Sequence, residues 1–145
     1  MPNFTPYQTE QFTSFAPAAL TAERLYAIDP AACAMNCRRA MELAVKWMYA
    51  VDKQLVLPYK KDLSVLLNTV EFVDLVDDRN LLQRLDFLRR LGNTAAHSTK
   101  KISRGQARLS LENLFYFLIS SPIATTRTTS LTTPIPPCCW NWRTR

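Results

Sequence analysis

His97 is the single histidine of this 145-residue chain, and it closes the string RRLGNTAAH at residues 89–97. An imidazole moves protons near neutral pH, and an arginine fork holds a phosphate as charge develops on it. Arg90 and His97, with six residues between them, therefore have the types of a catalytic Arg/His arrangement. Asn93 is the third candidate for such a site. The competing reading is structural: Gly92 ends a helix in a left-handed residue, and Asn93 or Thr94 caps the next segment. In that reading His97 hydrogen-bonds a nearby carbonyl to close the fold.

The surroundings of this string are cationic. Between Asp86 and Glu112 there is no acidic residue, yet Arg89, Arg90, Lys100, Lys101, Arg104 and Arg108 all occur. Six cations in one helix-loop-helix are expected to meet the phosphates of DNA or RNA, with binding that falls steeply as salt rises. Few aromatic residues interleave them, so base stacking is not expected. A solvated basic face is the alternative. The net charge of +6 adds little, because Arg127, Arg143 and Arg145 lie in an acid-free C-terminal segment.

The elements that must position these residues read as helices. Almost half the chain is apolar and only two glycines occur, too few for the tight turns of an antiparallel β-fold, so an all-α domain is expected. A helix is expected over 17–28 with Leu20, Leu25 and Ile28 inward. Asp29-Pro30 then restarts the chain as an N-cap followed by a first-turn proline. The helix after it, reaching about Val51, carries Cys33, Cys37, Ala40, Ala44, Trp47, Met48 and Val51 at spacings of three and four. It should be the central helix, with Arg38, Glu42 and Lys46 as an i,i+4 charge ladder on its surface. Residues 52–61 read as a loop, Asp62 as the cap of a short helix to Leu67, and 69–76 as another turn or two. Asp78 is expected to cap a helix ending at Leu91, with Leu81, Leu85 and Leu88 inward and Asp86 paired to Arg90. Ser103 and Gln106 form a capping box that opens a last helix with Ala107, Leu111, Leu114, Phe115 and Leu118 in its core stripe.

The expected domain is residues 1–120, with a loose arm over about 1–12. Residues 121–145 hold seven threonines and four prolines. They are expected to be disordered or irregular, with a frame change as one origin for their composition. Cys33 and Cys37 fit a buried helix face, while Cys138 and Cys139 have no partner pair, so neither a disulfide framework nor a zinc site is expected. No cofactor is expected either. With no leader sequence and no apolar run of transmembrane length, a cytoplasmic location and no membrane partner are expected.

Several strings together carry a resemblance. ERLYAIDPAACAMNCRRAMELAVKWMY, LDFLRRLGNTAAHS and a capped helix ending NLFYFLIS, in that order, resemble a helical domain of unknown function. That domain stands at the N-terminus of type I restriction enzyme R subunits and of related DEAD/DEAH-box helicase-like defence proteins. The resemblance covers roughly residues 10–120 and is most specific at Arg-Arg-Leu-Gly-Asn-x-x-x-His, residues 89–97. The family is in turn similar to HEPN domains, so the resemblance implies a HEPN-like bundle of about four main helices with short ones added. It also implies a phage-defence context, with other domains or subunits of a restriction or helicase complex as partners. The chain contains no G-x-x-x-x-G-K-[ST] loop and no DEAD or DEAH box, so no motor activity is expected of it. It reads as a detached N-terminal module that docks partner domains and touches nucleic-acid backbone. The alternatives are a HEPN-type ribonuclease, which would require a homodimer, and a protein–protein dimerisation domain. For the first, the resemblance implies that Arg90 and His97 cleave RNA without a metal, the 2′-hydroxyl attacking, His97 moving a proton and the arginine holding the phosphate. HEPN ribonucleases carry a polar residue directly after the arginine, and here Leu91 takes that place. Asn93 would substitute for it only if the backbone bent at Gly92.

Overall fold

The chain is described by a computed structural model covering Phe4 and residues 12–120, the side chain of Ser120 excepted. The Thr/Pro-rich segment at 121–145 and most of the N-terminal arm lie outside the described residues. Within them the protein is all-α, with six helices: α1 (Ala16–Leu25), α2 (Pro30–Val51), α3 (Leu63–Leu66), α4 (Val70–Val76), α5 (Arg79–His97) and α6 (Arg104–Ser120).

Helix starts follow local side-chain chemistry. Asp29 accepts from the Ala32 amide at 3.2 Å, with Pro30 in the first helical position. Asp78 accepts from Leu81 N at 3.2 Å, and Thr69 caps α4 by accepting from Phe72 N at 3.2 Å. Ser103 and Gln106 bond reciprocally: Ser103 N donates to Gln106 Oε1 at 2.9 Å, and Gln106 N donates to Ser103 Oγ at 3.2 Å. Asp62 departs from expectation. It stands at the N-cap of α3, but its side chain makes no capping bond.

α2 is the central helix, packed against α1, α5 and α6. Cys33, Cys37, Ala40, Met41, Ala44, Val45 and Met48 form its buried face, and Leu81, Leu85 and Leu88 of α5 meet it in one core with Ala107, Leu111, Leu114, Phe115 and Leu118 of α6. Each large side chain so buried contributes about 1.5–3 kcal/mol relative to exposure. Small residues on α2 let its neighbours approach closely. Burial also pushes the Cys37 thiol up, with the adjacent Cys33 thiol adding to the effect, so this cysteine stays protonated and inert.

Two expected core positions fall outside the core. Ile28 is 78% exposed because α1 stops at Leu25 and the chain turns before Asp29, and Val51 is 53% exposed because it ends the last turn of α2. Conversely, Phe4 and Phe12, within the arm expected to be loose, are fully buried. Phe4 packs on Phe115 with ring centroids 5.7 Å apart, and Phe12 packs on Phe15 and Trp47 at 5.4 and 5.5 Å. Among the described residues no helix is long and apolar enough to cross a membrane.

Candidate functional site

α5 does not stop at Leu91. It runs unbroken through Gly92 to His97, and Ser98 N still bonds to Thr94 O at 3.0 Å. Gly92 has no left-handed backbone, so it is not a helix terminator, and Asn93 and Thr94 cap nothing. Its reason lies across the seam. A Cβ on Gly92 would fall 2.6 Å from Cδ of Arg38 and closer still to the Arg38 Cβ. The absent side chain lets α5 lie directly on α2 at Arg38.

The unbroken helix sets the directions of the candidate residues. At 3.6 residues per turn, Asp86, Arg89, Arg90, Asn93 and His97 share one face, opposite Leu88 and Leu91. Asn93 thus joins Arg90 and His97 without any bend at Gly92. Leu91 is buried in a small cluster with Ala34 and Ile102. Seven residues of helix place the Arg90 and His97 backbones about 10 Å apart along the axis. His97 is exposed at the helix end, and Arg90 is 74% exposed.

Three of the six cations expected to face phosphate meet acids from the edges of their stretch. Asp86 takes both arginines, Arg89 Nη2 at 2.8 Å and Arg90 Nε at 2.7 Å, and Arg108 Nε bonds to Glu112 at 3.0 Å. The set is therefore not uncompensated as its sequence suggested. Arg104 extends over the Tyr26 ring, with 5.8 Å from Cζ to the centroid. Lys100 and Lys101 are exposed in the connection between α5 and α6, with no ion pair among the described residues.

Sequence reasoning missed a cleft of about 390 Å³ between α2, α3 and α5. Arg38, Glu42 and Lys46 of the charge ladder line it, with Lys61, Asp62 and Ser64 from the loop and α3, and Arg89 and Asn93 from α5. Arg90, His97 and the cations beyond them do not. Glu42 holds Arg38 Nη1 at 3.4 Å and Lys46 Nζ at 3.0 Å. The Nε of Arg38 is buried without a hydrogen-bond partner. A second, mostly apolar pocket of about 220 Å³ adjoins through Lys46 and Lys61, its wall made by Tyr49, Ala50, Leu57 and Leu66. Tyr49 is held firmly there: its hydroxyl donates to Leu66 O or to Thr69 Oγ1, both at 2.6 Å, and its ring stacks on Phe72. Burial pushes this phenol up, the Thr69 hydrogen bond opposes the shift, and the charge of Glu71 adds to it. Only the ladder and the RxxxN spacing of Arg89 and Asn93 hinted at this cleft. Pairing them needed the approach of α2 to α5. No three His, Cys, Asp or Glu residues converge as metal ligands among the described residues.

A family model described as "Domain of unknown function (DUF4145)" matches residues 21–131. The chain belongs to this family. The DUF4145 match takes in α2 to α6, the Gly92 seam and the cleft, and continues past the composition break at residue 121. No curated protein and no solved structure matches the chain significantly.

Proposed function

We propose that the chain is the N-terminal helical module of a type I restriction enzyme R subunit or of a related helicase-like phage-defence protein. In this reading it docks partner domains and contacts nucleic-acid backbone, with no motor or nuclease activity of its own. One observation carries the contact: Lys100, Lys101 and Arg104 are exposed with no carboxylate partner among the described residues, while Arg89, Arg90 and Arg108 have one. Unpaired surface cations release counterions when they meet phosphate, which favours binding without sequence preference. Exposed Tyr59, Val70 and Val73, at 99%, 71% and 37%, support docking, since another protein surface that covers them removes apolar area from water. The test is the salt dependence of duplex DNA binding. Replacing Lys100 and Lys101 by alanine is expected to lower the log–log slope by about 2, at roughly 0.9 per phosphate contact. An unchanged slope, or no binding at low salt, sinks the nucleic-acid reading.

A second reading has its own support. The continuous α5 sets Arg90, Asn93 and His97 along one side of the helix, Arg90 and His97 exposed and Asn93 half-buried, the polar arrangement that a HEPN-type, metal-independent ribonuclease needs. The 2′-hydroxyl would attack the adjacent phosphorus as His97 takes its proton, and the bond from phosphorus to the 5′-oxygen would break to leave a 2′,3′-cyclic phosphate. The departing oxygen would take a proton from water, while Arg90 would exchange Asp86 for the phosphate oxygens. RNA cleavage in EDTA that His97→Ala abolishes in a folded protein would establish this reading, and absence of cleavage would remove it.

A further inference from the structure

We infer that the cleft between α2, α3 and α5, together with its apolar neighbour, is a binding site for a nucleoside phosphate. The two cavities differ in chemistry and join at Lys46 and Lys61. The larger, at about 390 Å³, falls within the ~300–1,000 Å³ of small-molecule sites.

Four cations line the larger cavity: Arg38, Lys46, Lys61 and Arg89. They outnumber its carboxylates, Glu42 and Asp62, even when Asp86 is counted against Arg89. A phosphate monoester fits such a surplus, and arginine forks match its oxygens in pairs. Asp62, whose carboxylate is not used to cap α3, can accept hydrogen bonds from sugar hydroxyls, and Ser64 and Asn93 add neutral donors and acceptors. The apolar pocket beyond Lys46 and Lys61 offers Leu57, Leu66 and the fixed body of Tyr49 to a flat ring. A sugar phosphate alone would leave that pocket to water. An apolar ligand alone would desolvate lysines without pairing them. A phosphate, a hydroxylated sugar and a planar base satisfy all three surfaces. The same chemistry is offered by a free mononucleotide and by the 5′-phosphorylated end of a strand.

This goes beyond the backbone-contact reading and does not rest on it, since Lys100, Lys101 and Arg104 take no part in the cleft. The test is calorimetric titration of the full chain with AMP, inorganic phosphate, adenosine and a 5′-phosphorylated trinucleotide. AMP is expected to bind at least about tenfold more tightly than either phosphate or adenosine, because each fills one cavity only. Lys46→Gln with Lys61→Gln, both exposed positions, should weaken AMP about tenfold or more. Leu57→Asp should weaken AMP and spare phosphate, and Lys100→Ala with Lys101→Ala should leave AMP binding intact. Tighter binding of the trinucleotide than of AMP would assign the site to strand ends, and weaker binding to free nucleotide. The proposal is overturned if AMP fails to bind, if AMP binds no better than phosphate, or if the Lys46/Lys61 variant binds AMP like the wild type.

Discussion

Gly92 and Gly105 are the two glycines of the chain, both lie in helices, and neither has a left-handed backbone. Gly92 is buried where α5 lies on α2, and a Cβ there would strike the Arg38 stem. Gly105 is exposed in the first turn of α6, and its nearest neighbour to an added Cβ is Ser103 Oγ at 3.8 Å, an ordinary contact. The same residue thus serves close approach in one place and occupies open space in the other. The seam around Gly92 is where packing converts distant sequence into a site: it brings Arg38 from α2 beside Arg89 and Asn93 from α5. The Gly105 edge, with Lys100, Lys101 and Arg104, is assembled from neighbours in sequence and depends little on packing.

The contrast breaks most visibly at leucines. Leu88, fully buried in the seam, should cost about 2–5 kcal/mol when truncated to alanine. Leu109, 43% exposed on α6, should cost within about 0.5 kcal/mol. Urea denaturation of both variants checks the difference, and equal losses would mean that the seam is no better packed than the edge. A smaller effect sharpens the view of the edge as locally determined. Ser103→Ala removes one half of the reciprocal cap of α6 and should lower stability by about 1 kcal/mol, read by the shift in denaturation midpoint. A neutral result would show that α6 is started by its packing instead.

Legibility in the sequence divides along the same line. The starts of α2, α5 and α6 are readable because Asp29-Pro30, Asp78 and Ser103/Gln106 bond within a few residues of themselves. The core stripes of α2 and α6 are readable from their period. The end of α5 is not, since a glycine that ends a helix and one that admits a neighbouring helix are the same letter, and the Arg38 that decides between them lies on another helix. For the same reason the Arg38–Glu42–Lys46 ladder reads in sequence as surface stabilisation and not as one wall of a cleft. Phe4 and Phe12 escape sequence reading because no apolar period in the sequence around them betrays their burial. The pairing of Asp86 with Arg90 is legible at i,i+4, whereas its sharing with Arg89 depends on side-chain direction along the helix.

Gly92 serves the approach of α5 to Arg38 and does not end a helix. Equilibrium urea denaturation of Gly92→Ala, Gly92→Asn and Gly105→Ala tests it most directly. Gly92→Ala should lose about 1–3 kcal/mol from overpacking the seam. Gly105→Ala should gain up to about 1 kcal/mol, because alanine is the better helix former. Gly92→Asn should lose more than Gly92→Ala, since its larger side chain meets the same Arg38 stem. A left-handed helix terminus would reverse that order, because asparagine tolerates the left-handed region better than alanine. Asparagine outperforming alanine at position 92, or a neutral Gly92→Ala, would contradict the account.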